Sequence, residues 1–84
     1  MKVLVGKEEY EQVRMAEKTT GKKIKHLTMI VPDCINGVWG VYQVIRCYKS
    51  VSKYYAEMKL LERAENEAEA HLKVVKVTVE LRQR

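Results

Sequence analysis

Proline occurs once and glycine four times in these 84 residues, and the two cysteines, Cys34 and Cys47, form no CxxC pair. With so little chain-breaking material, and with 46% hydrophobic against 32% charged residues, a disordered or low-complexity chain is excluded. No apolar stretch approaches the roughly 20 residues that cross a bilayer. The apolar run in "MKVLVGKEEY" is too short for a signal peptide, and neither a lipidation signal nor an internal repeat is evident. These absences lead to the expectation of a soluble, cytoplasmic protein in a reducing compartment. It should form a single domain over 1–84, near the lower size at which one core holds without disulfides or metal.

What is present is punctuated periodicity. "KVLV" (2–5) reads as a short strand stopped by Gly6. "KEEYEQVRMAEKTTG" (7–21) carries Tyr10, Val13, Met15 and Ala16 near helical spacing, acids in its first turn, Lys18 in its last and Gly21 as a stop. "KIKHLTMIV" (23–31) has the length and β-branched content of a strand that Pro32 ends. Asn36-Gly37 suits a two-residue hairpin turn, because both residues tolerate positive φ, so Val38 to Tyr48 should be the return strand. Ser50 or Ser52 then caps a second helix in which Tyr54, Tyr55, Met58, Leu61, Ala64, Ala68 and Leu72 recur mainly at spacings of three and four. "LKVVKVTVELR" (72–82) alternates as a half-buried last strand.

The resulting order is the split βαβ pattern of an α+β, ferredoxin-like βαββαβ sandwich, with a four-stranded antiparallel sheet and both helices on one face. A rival reading, βαβαβ, runs one long helix over 33–71, since Val38, Val41, Tyr42, Ile45 and Tyr48 also fall at three-four spacing. Gly37 and Gly40 weigh against it, each costing about 1 kcal/mol inside a helix.

With Asn36-Gly37 as the turn, one face of the hairpin carries Ile24, His26, Thr28, Ile30, Trp39, Val41, Gln43, Ile45 and Cys47, with no formal charge, and is assigned to the core. The other carries Lys25, Leu27, Met29, Val31, Tyr42, Val44, Arg46 and Tyr48, and continues onto the outer strands through Lys2, Leu4, Val74, Lys76, Thr78 and Arg82. Its apolar centre, Leu27, Met29, Val31, Tyr42 and Val44, is the candidate partner-binding surface, for a second copy or another protein. A one-residue register slip would exchange the two faces.

Charge is uneven. Of the net +5, segment 7–19 contributes three basic and four acidic residues and 53–71 three basic and five acidic, which leaves ten basic residues against Asp33 and Glu80. A basic sheet face with interleaved tyrosines is suited to single-stranded nucleic acid, through Lys22, Lys23, Lys25, Arg46, Lys76 and Arg82 with Tyr42 or Tyr48 stacking on bases. RNA-recognition motifs share the expected strand order but carry a basic-Gly-aromatic-Gly-aromatic pattern on the third strand. In "NGVWGVY", Asn36 and Val38 stand at the basic and first aromatic positions and Trp39 where glycine belongs, so the resemblance stops at topology.

Chemistry is thinly supplied. His26, Cys34, Cys47 and His71 are spaced by 8, 13 and 24, which matches no zinc knuckle or finger. Cys47 would neighbour His26 across the hairpin, but on the core face, where a thiol behaves as a small hydrophobe. The sequence therefore points to no catalytic residue, no metal and no cofactor. The expected function is a small non-enzymatic module that self-associates or binds a protein partner. Its size also suits an accessory protein of the kind phages encode to inhibit a host enzyme.

Overall fold

The structure, a computed structural model, describes residues 1–83. In chain order the elements are β1 (Lys2–Val5), α1 (Lys7–Thr20), α2 (Ile24–Leu27), β2 (Met29–Ile35), β3 (Val38–Ser50), β4 (Lys53–Arg63) and α3 (Glu67–Arg82). The strands form one four-stranded antiparallel sheet in the order β1-β4-β3-β2. The α+β class stands, whereas the ferredoxin-like order does not. That order needs a helix between its last two strands; here β2, β3 and β4 follow one another directly, and β1 pairs antiparallel with β4, Lys2 opposite Glu57 and Val5 opposite Tyr54. The single helix over 33–71 is likewise replaced, by the end of β2, all of β3 and β4, and the first turn of α3.

The first helix and the turn of the first hairpin form as the sequence predicts, although Pro32 lies inside β2 rather than ending the strand. Glu8 and Glu9 sit in the first turn of α1 and Lys18 in its last, and Gly21 ends it at φ 71 with its N–H donating to Glu17 O. Its inward stripe is Tyr10, Val13 and Ala16, while Met15 points to solvent. Asn36 and Gly37 take φ 53 and 78, the pair of left-handed positions that a tight hairpin needs.

Three predicted elements change type. Residues 23–31 do not run as one strand: the N–H of Ile24 donates to Glu17 Oε2 at 3.0 Å, Ile24 is buried, and the chain makes the short α2 before β2 begins at Met29. Of the segment expected as the second helix, 53–71, the larger part is β4, and only its end, from Glu67, is helical, as the start of α3. The apolar residues of β4 satisfy a period of two as well as three-four, and the Val51-Ser52 turn folds the strand back onto β3. The last expected strand is α3. Asn66 caps it by accepting from Glu69 N–H at 2.9 Å, with Glu67 and Glu69 in the first turn and Arg82 in the last. An inward stripe of Ala70, Val74, Val77 and Leu81 interleaves with an outward one of Leu72, Val75 and Val79, and the two helical stripes together imitate strand alternation.

The chain divides into two compact units. In the first, Met1–Met29 with Val44–Met58, the buried side chains are Val13, Ile24, Val44, Cys47, Ala56 and Met58. Here α1 meets the strands through Tyr10, whose ring lies 4.8 Å from that of Tyr54, and through Arg14, which donates to Cys47 O and pairs with Glu17. In the second, Ile30–Gln43 with the chain from Lys59 onward, the buried side chains are Ile35, Val41, Tyr42, Ala70 and Val77. Successive residues Val41 and Tyr42 are each 0% exposed, so this stretch of β3 is covered on both faces. The Tyr42 hydroxyl donates to Val38 O at 2.8 Å. Gly40 is required by close approach, since a Cβ there would stand 2.7 Å from both Glu62 O and Leu60 Cδ1.

Among the described residues no helix is long and apolar enough to cross a membrane.

Candidate functional site

In the first unit, β1, the start of β4 and the end of β3 lie side by side, and strand alternation assigns alternate residues to one face. On β3 these are Arg46 and Tyr48, on β4 Lys53, Tyr55 and Glu57, and on β1 Lys2 and Leu4, with Leu4 opposite Tyr55 and Lys2 opposite Glu57. Tyr48 and Tyr55 stack across the strands with ring centroids 5.6 Å apart and planes at 27°. A cation lies over each ring: Lys2 Nζ is 4.3 Å from the Tyr55 centroid, and the Arg46 guanidinium 4.8 Å from that of Tyr48. Arg46 Nε also donates to Glu57 at 2.8 Å. Leu4 is 61% exposed, and Lys2, Arg46 and Lys53 all reach solvent. The face thus offers an aromatic platform, an apolar side chain, three cations and one carboxylate.

The opposite side of the same strands is occupied. Tyr54, Ala56 and Cys47 face α1 there, and burial pushes the Cys47 thiol up, against a smaller lowering from the Arg14 charge. Arg14 holds its proton more tightly than usual, first through its contact with Tyr10.

The residues named from sequence are only partly brought together. Of the nucleic-acid set, Arg46 and Tyr48 are adjacent on this face. Lys22, Lys23 and Lys25 are exposed on the separate segment that leads into and through α2, Lys76 and Arg82 are exposed on α3 of the other unit, and Tyr42 is buried. The partner-binding set does not form an open surface. Tyr42 and Val44 are core residues, Leu27 is on α2, and Met29 and Val31 are half-buried on β2. The assigned faces hold for the far end of β3, where Cys47 is buried and Arg46 exposed, and fail at Tyr42 and Val44, where the strand is covered on the side expected to be open.

Tyr55 and Lys53 were missed because their segment reads as a helix. The signal available was the two-residue spacing Lys53, Tyr55, Glu57 after a short turn. The expected adjacency of His26 and Cys47 across a hairpin also fails, since His26 is an exposed residue of α2 rather than of a strand. His71 lies 3.8 Å from Glu67 on its own helix. Among the described residues no three His, Cys, Asp or Glu side chains are grouped to hold a metal ion.

No family model, curated protein or solved structure matches the chain.

Proposed function

We propose that this protein binds single-stranded nucleic acid on the face formed by Lys2, Leu4, Arg46, Tyr48, Lys53 and Tyr55. The observation that carries the reading is the stacked Tyr48–Tyr55 pair in reach of solvent, with a cation over each ring. A base has a π face that stacks on tyrosine whatever its identity, and a strand laid across the platform brings phosphates to Lys2, Arg46 and Lys53. A net charge of +5 adds long-range attraction for a polyanion. The reading is non-enzymatic and needs no cofactor. A cytoplasmic setting goes with it, supported by two free cysteines of which Cys34 is exposed.

Fluorescence anisotropy of labelled single-stranded RNA and DNA at two salt concentrations tests it. Wild type should bind with an affinity that falls steeply with salt. Tyr48→Ala or Tyr55→Ala should weaken binding by about 1–3 kcal/mol for each base that loses its platform. Absence of binding at low salt, or tyrosine variants that bind as wild type does, would overturn it.

A protein-interaction module, self-associating or docking a partner, is favoured by a different observation, the large apolar side chains that α3 exposes.

A further inference from the structure

The outward stripe of α3 consists of Ala68, Leu72, Val75 and Val79, at successive spacings of four, three and four. Leu72 is 75% exposed, Val75 67% and Val79 48%. Apolar residues scattered singly over a surface need no explanation, but three in line on one helix do. Two of them are β-branched, which lowers helix propensity, so the helix itself gains nothing from valine at these exposed positions. The inward stripe already satisfies the unit's own core through Ala70 and Val77. The four-three-four spacing is that of a coiled-coil seam.

From the charges that flank this stripe we infer that its occupant is a second copy of the same helix, lying antiparallel to it. Glu69 and Lys76 each follow a stripe residue directly, and so border the seam on the same side. About a twofold axis between Leu72 and Val75, Leu72 of one copy meets Val75 of the other and Ala68 meets Val79. Glu69 then faces Lys76 of the second copy, and symmetry makes the pair twice. A parallel pairing instead sets His71 beside Lys76 and creates no such attraction.

Within its own chain Glu69 accepts from Lys73 at 2.8 Å and Lys76 lies 3.4 Å from Glu62, so the contact between copies joins two existing, solvent-accessible pairs. Antiparallel helices also oppose their dipoles, with the acidic first turn of one beside the basic last turn of the other. The 16 residues of α3 span about 24 Å. Two such helices bury on the order of 1,000 Å² in all, near the lower bound for a specific interface, and the association is accordingly weak and reversible.

Sedimentation of the full chain over a range up to high micromolar concentration tests this, with circular dichroism to check that each variant is folded. Wild type should dimerise reversibly, and Val75→Glu, at a position exposed in the monomer, should weaken the dimer about 100-fold or more by placing two carboxylates in the seam. Glu69→Lys and Lys76→Glu should each weaken it several-fold at low salt, and the doubly exchanged chain should recover most of the loss, as an antiparallel pair requires. A wild type that stays monomeric overturns the inference, as does a dimer indifferent to Val75→Glu or a double exchange that restores nothing. A monomer that instead co-sediments with phosphatidylcholine vesicles would reassign the stripe to a lipid surface.

Discussion

Tyr48 and Tyr55 stack across β3 and β4 with ring centroids 5.6 Å apart, and a cation lies over each ring, so one cross-strand pair serves both the hairpin and the candidate face. Such pairs contribute roughly 0.5–1 kcal/mol beyond their area. Tyr55→Ala should destabilise the protein by more than that in urea unfolding, about 1–3 kcal/mol, because the half-buried ring loses its apolar area as well as the pair. Tyr55→Phe keeps the ring and should change stability little, and should also retain most of any nucleic-acid affinity.

Arg46 divides its guanidinium between the Tyr48 ring and the Glu57 carboxylate. Both partners of the ion pair are well exposed, so it contributes little to stability. Glu57→Gln should leave the melting temperature nearly unchanged while releasing Arg46 and removing the one carboxylate of the face. Affinity for single-stranded RNA should then rise several-fold at low salt in the same anisotropy titration.

Tyr42 is the fully buried counterpart of the half-buried Tyr48 and Tyr55. Losing its hydroxyl leaves Val38 O without that donor, and Tyr42→Phe should cost about 1 kcal/mol at neutral pH. Burial, with the nearby Asp33 and Cys34, pushes the phenol up from its ordinary 10.0. The folded state therefore keeps a proton that the unfolded chain gives up, and this contribution, present below 10.0, is lost as the pH rises above it. Unfolding free energy followed into alkali should fall more steeply for wild type than for Tyr42→Phe.

Two backbone positions respond in opposite directions. A methyl group at Gly40 would strike Glu62 O and Leu60 Cδ1 at 2.7 Å, and Gly40→Ala should destabilise by about 1–3 kcal/mol through overpacking. Val51 opens the β3–β4 turn at φ 58 with its side chain 95% exposed, a conformation that disfavours a β-branched residue. Val51→Gly removes that strain without losing a contact and should stabilise by about 1 kcal/mol. For a chain of this size that is a rise of roughly 4–8 °C in melting temperature, measurable by calorimetry.

The parts of this protein legible in the sequence are those governed by neighbouring residues. Acids at the start and Gly21 at the end delimit α1, and Asn36-Gly37 specifies the first hairpin, because capping, dipole and turn geometry act over a few residues. The exposure of Arg46 and the burial of Cys47 follow from alternation. The other half of the candidate face was not legible, because Tyr55 lies in a segment whose apolar residues fit two periods equally.

Tertiary structure decided the rest. Whether 53–63 is strand or helix depends on β3, which supplies a ladder and the Tyr48 and Lys49 side chains against Tyr55 and Tyr54. Whether 72–82 is helix or strand depends on the Asn66 cap upstream and on a core that takes Ala70 and Val77 together, which only a 3.6-residue period allows. The identity of the open face was decided in the same way. Period-two alternation distinguishes two sides of a strand, but which side meets other chain is set by residues far away in sequence, and at Val41 and Tyr42 both sides do.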